Sequence, residues 1–223
     1  MAGRPAETTP DARVKPRLRG VSHGIAFVLA LPLGTALLFA AETTRGRVSA
    51  LVFAVSVTAM LGASALYHLV TWSPSVRPWM RRLDHAGIYA LIAGTYTPFG
   101  LLVLSGNWTV VVLAIVWTGA VAGVALKFLW VDGPKWLSAV IGIALGWVGI
   151  VAFPQILDEI GLTPALLLLA GGLAYTAGAV IYALRRPDPV PAVFGYHELF
   201  HAFVLAAVAC HYAAVAFYIL PEH

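Results

Sequence analysis

Seven apolar runs divide the chain, at about residues 22–41, 48–70, 84–104, 108–129, 136–153, 163–184 and 194–220. Each has about the 17–25 residues an α-helix needs to cross a hydrocarbon core of about 30 Å. The links between them are short and polar, and several carry Pro, Gly or Asn where a helix should stop. This pattern predicts an all-α, polytopic membrane protein: a seven-transmembrane helix bundle without a separate soluble domain. Residues 1–20 break the pattern, with three prolines, five basic residues and almost nothing apolar. They are expected to form a disordered basic tail ahead of a single membrane domain over 21–223. No small-residue cleavage site follows the first apolar run, so that run does not read as a signal peptide.

Composition points the same way. The 223 residues are 60% apolar and 11% charged, against about 45–50% and about 25% in soluble domains. The net charge of +4 would suit a nucleic-acid partner, but no basic stripe with interleaved aromatics is present, and nucleic acid is not expected. The basic residues instead report topology. Twelve of the fourteen fall in the tail and in the links or span edges on its side: Arg77, Arg81, Arg82, Lys127, Lys135, Arg185 and Arg186 beside the five of the tail. Only Arg45 and Arg47 lie on the other side. Cytoplasmic loops carry the Lys/Arg excess, so the N-terminus is expected inside and the C-terminus outside, in the cell (plasma) membrane. That is opposite to a G-protein-coupled receptor. The single cysteine, Cys210, excludes an intrachain disulfide and a cysteine-based zinc cluster.

The topology gathers the chain's chemistry at one depth. His68 ends the second span, Asp84 opens the third, and His197 and His201 open the seventh, so all four lie near the cytoplasmic boundary. Polar side chains within membrane spans are costly and mark candidate functional sites. The i, i+4 spacing of His197 and His201 puts both imidazoles on one helix face, which suits two ligands of one metal ion, with His68 as a third. Other roles remain open. A membrane histidine often serves as a helix–helix hydrogen bonder, and Asp84 at a helix start also suits an N-cap. Glu198 is a candidate fourth ligand, although a hydrogen bond to a neighbouring helix or the aqueous edge fits its position on the helical wheel better. His211 lies about 15 Å farther along the seventh helix and is expected to bond between helices. His23 is expected at the interface and His85 has no assigned role. The group Thr95, Tyr96, Thr97 and Pro98 fits a cavity wall or a packed kink equally. Tryptophans 72, 79, 108, 130 and 136 sit at span ends, as an aromatic belt requires.

The segments SALYHLV (64–70), RRLDHAGIYALIAGTYTP (81–98) and HELFHAFVLAAVACH (197–211) together resemble the hemolysin III family, within the progestin and adipoQ receptor superfamily. The resemblance runs from Ser22 to the C-terminus. It implies zinc ligands at His68, His197 and His201, an Asp84 that binds the metal's water, and a motif serine at Ser64. Three protein ligands leave a fourth position for water, whose pKa zinc lowers to about 7. Asp84 would then act as general base, and Ser64 would orient an imidazole or donate to an oxyanion.

Three functions follow as expectations. The first is a zinc-dependent hydrolase of a lipid amide or ester, the ceramide-like amides being the class suggested for relatives. The second is a membrane-homeostasis regulator or receptor-like protein with structural zinc. The third, a pore-forming cytolysin, is disfavoured by spans too apolar to line an aqueous channel.

Overall fold

The computed structural model describes residues 15–222, which form eight α-helices arranged as seven spans. They are α1 (Val21–Ala40), α2 (Thr44–Leu69), α3 (Arg77–Pro98), α4 (Asn107–Leu129), α5 (Lys135–Gly146), α6 (Phe153–Ile160), α7 (Leu162–Leu184) and α8 (Tyr196–Ala214). A π-helical turn, Phe99–Val103, extends α3 beyond Pro98. Another, Val215–Ile219, extends α8. The helices pack as a ring: α2 lies between α1 and α3, α4 follows α3, α5 meets α7, α7 meets α8, and α8 returns to α1.

Exposure is inverted relative to a water-soluble protein. Phe39 is 86% exposed and Leu129 85%, while Ser49, Ser56 and Ser64 are buried among the helices. Apolar side chains facing out meet lipid tails as easily as they would meet one another, so helix association rests on close packing and interhelical hydrogen bonds. At the α2–α3 contact, a Cβ built on Gly94 would stand 2.3 Å from Ser56 Cβ. Gly94→Val is expected to force these backbones apart at a cost of about 1–3 kcal/mol. The check is thermal unfolding in detergent, where an unchanged midpoint would contradict this packing.

Three boundaries differ from those the sequence pattern suggested. First, α3 starts at Arg77 with Pro78 in its first turn, so Asp84 lies two turns inside the helix and caps nothing. The charges at Arg77, Arg81 and Arg82 had masked a helical start that proline favours. Second, Pro154 does not end the fifth span. A 3₁₀ segment, Val148–Ala152, hands over to α6, which takes Pro154 in its first turn and prolongs the span to Ile160. Third, Lys15–Gly20 is not loose tail. The backbone N–H groups of Arg17 and Leu18 donate to the carbonyls of Ala192 (3.0 Å) and Val193 (3.1 Å). Gly20 has φ 82° and approaches His68 so closely that a Cβ there would lie 2.5 Å from His68 Cβ. Low apolar content concealed these long-range partners. The rest of the expected tail, residues 1–14, lies outside the described residues.

Candidate metal centre

His68 sits in the last turn of α2, and His197 and His201 in the first two turns of α8. All three are buried, and each offers a nitrogen within 4.8 Å of the others. His68 Nε2 and His197 Nε2 face each other at 3.2 Å. Ring centroids are 4.6 Å apart for His197 and His201, and 5.3 Å for His68 and His201. The buried Asp84 carboxylate comes from α3, with Oδ2 3.7 Å from His68 Nε2. Helices distant in sequence thus bring four groups to one end of the bundle.

The donor set fits a divalent cation. Tetrahedral ligands at about 2.0–2.1 Å from zinc stand about 3.3 Å from one another, close to the His68–His197 separation. His201 Nδ1 is buried without a hydrogen-bond partner among the described residues. Buried imidazole nitrogens left unpaired carry a desolvation cost that a cation would offset. This buried three-histidine cluster is able to hold a metal ion.

Ser64, one turn before His68, accepts or donates a 2.9 Å hydrogen bond with His23 Nδ1. His23 corrects the sequence expectation. It is buried rather than interfacial, and its ring stacks on that of His201 at 3.7 Å with an interplanar angle of 7°. The signal for it was present: the first span opens at the same end of the bundle as His197. The imidazole that Ser64 contacts thus lies outside the candidate ligand trio.

Glu198 points away from the trio. Its carboxylate pairs with Arg19 and accepts the Gly195 N–H at 2.9 Å, the N3-to-N-cap half of a capping box at the start of α8. Arg19→Ala would strand a buried carboxylate, at about 3 kcal/mol, the low end for breaking a buried pair. A lowered unfolding midpoint that Glu198→Gln partly restores in the Arg19→Ala background is the expected result. His211 bonds across helices, its Nε2 lying 3.2 Å from the Leu168 carbonyl of α7. His85 Nε2 lies 3.9 Å from Asp84 Oδ2. Thr95 and Tyr96 line an apolar cavity of about 120 Å³ between α3, α5, α7 and α8. Tyr182 and Phe200 also line it, and their rings lie 5.7 and 5.9 Å from that of His197.

A seven-span bundle with three imidazoles and a carboxylate buried at one end defines a multi-pass membrane protein with a candidate metal centre. Comparison with known proteins gives the family. The model for Haemolysin-III related proteins matches residues 12–212. The chain is 35% identical to Hemolysin-3 of Bacillus cereus over 206 residues, covering 90% of each chain. It is 32% identical to the Hemolysin-3 homolog of Bacillus subtilis over 201 residues, 89% of this chain and 91% of that one. It is also 33% identical over 183 residues to Heptahelical transmembrane protein ADIPOR2 of Oryza sativa subsp. japonica, covering 74% of this chain and 79% of that protein. The chain belongs to the hemolysin III family.

Proposed function

We propose that this protein is a zinc-dependent hydrolase of a lipid amide or ester, with His68, His197 and His201 as the zinc ligands. The observation that carries this reading is the place of Asp84: a buried carboxylate beside the histidine trio, 3.7 Å from His68 Nε2, yet outside the three-residue cluster. Structural zinc sites are closed by four protein ligands, whereas catalytic sites have three and an open position. Zinc bound there would polarise the scissile carbonyl and lower the pKa of water to about 7. Asp84 takes a proton from the water that attacks the carbonyl carbon and returns it to the departing nitrogen or oxygen as the C–N or C–O bond breaks. Ser64 holds His23, and His23 lies flat on His201, which restricts the ring of that ligand. Glu198, engaged with Arg19 and the Gly195 N–H, leaves the acid–base role to Asp84.

A membrane lipid suits the site as substrate, because the apolar cavity beside Tyr182 and Phe200 offers an acyl chain a place next to the reacting centre. Nucleic acid has no part in this reading. The charge pattern supports a cytoplasmic N-terminus, an outside C-terminus and a centre near the inner face of the cell membrane. The test is release of free fatty acid from a ceramide-like amide and from an ester analogue by purified protein, with and without a zinc chelator. Chelator-sensitive release is expected. Intact lipid together with a chelator-induced loss of thermal stability would instead identify a regulator with structural zinc.

A further inference from the structure

We infer that a second site, separate from the histidine trio, binds a phosphoryl anion between α3, α4, α5 and α7. A small pocket there is lined by Arg81 and His85 of α3, Lys127 of α4, and Lys135 and Ser138 of α5. Tyr89 and Tyr182 complete its polar wall. Its volume is about 40 Å³, where one water needs about 10–15 Å³, so a tetrahedral oxyanion fits and a large headgroup does not.

Lys127 is the decisive residue. Only 4% of it is exposed, and its ammonium donates to the Ser138 hydroxyl. Lys135 Nζ donates to Tyr196 Oη at 2.9 Å and lies 4.3 Å from the centroid of the Tyr182 ring. Among the described residues, no carboxylate lies within 4.0 Å of either ammonium. The Arg81 guanidinium pairs with Asp132, whose side chain is 75% exposed. Three basic side chains thus line the pocket, and the one carboxylate within ion-pair distance of any of them, Asp132 on Arg81, is largely screened by water.

A buried ammonium satisfied by neutral groups alone is costly, and such charges in membrane proteins are paired or functional. Tyr89, 2% exposed, lines the same pocket and sets its hydroxyl beside that of Ser138. Ammonium, guanidinium and hydroxyl donors converging on a small space form a phosphoryl-binding set. Counting Lys127 and Lys135 only as topology signals leaves this burial unexplained. Two sources share the required chemistry, namely the headgroup of an anionic phospholipid and free phosphate.

The test measures the unfolding midpoint of purified protein in an uncharged detergent and a phosphate-free buffer. Inorganic phosphate, dihexanoyl phosphatidic acid and dihexanoylglycerol are titrated at matched ionic strength. A rise of several degrees with phosphate or with the phosphatidic acid, and none with dihexanoylglycerol, is expected. A response to both anions assigns the site to free phosphate as well as lipid, and a response to the phosphatidic acid alone assigns it to the headgroup. Lys127→Met should abolish the rise while leaving the anion-free midpoint at or above that of the wild type, because a buried charge has been removed. Lys135→Met should weaken the rise and serves as the second variant if Lys127→Met does not fold. The rise should persist after chelator treatment. Absence of any rise, a full rise in the folded lysine variants, or its loss with the chelator would overturn the inference, the last by placing the anion at the histidine trio.

Discussion

Replacing His197 with alanine is expected to empty the metal centre, taking the purified protein from about one zinc per chain to almost none. His197 faces His68 at 3.2 Å, and its loss removes one of the three candidate ligands. Loss of a group that merely supports a ligand costs about 10–100-fold in metal affinity, and loss of the ligand itself should cost more. Elemental analysis of wild type and His197→Ala, prepared side by side, reads this directly. Wild-type protein without stoichiometric zinc, or a variant that keeps it, would refute the ligand assignment and the proposed chemistry together.

Asp84→Asn should separate chemistry from metal binding. The amide keeps the shape of the carboxylate but is not a proton acceptor at neutral pH. Turnover should fall by about 10²–10⁴-fold, the usual contribution of a positioned acid–base group, while zinc content stays at the wild-type level. The measurement pairs initial rates of fatty-acid release with metal analysis of the same preparation. Metal lost along with activity would make Asp84 a ligand, and full activity would place the base elsewhere.

The spans were legible because lipid imposes a length and a polarity that hydropathy records directly. The ends of α3 and α6 were less so. Hydropathy loses a helix where Arg77, Arg81 and Arg82 reach the interface, and Pro154 looks like a stop although a first-turn proline is also a start. The convergence of His68, Asp84, His197 and His201 was readable from topology, since alternating spans return to the same face. What topology cannot provide is rotation about each helix axis. That rotation turns His23 onto His201, draws Arg19 to Glu198 and buries Lys127 against Ser138. These contacts depend on which face of each helix meets its neighbour, and apolar residues surround most of these helices almost evenly.

The ring of helices closes between α1 and α8, and the histidine cluster draws on both sides of that seam, with His23 on the first span and His201 on the last. Ribosomal synthesis delivers the N-terminal spans first. A nascent chain interrupted before residue 197 therefore carries His23, His68 and Asp84 in the bilayer without His197 and His201. Such an intermediate leaves ionisable groups of the cluster without the last span that covers them, an exposure to lipid that is costly until the seventh span arrives.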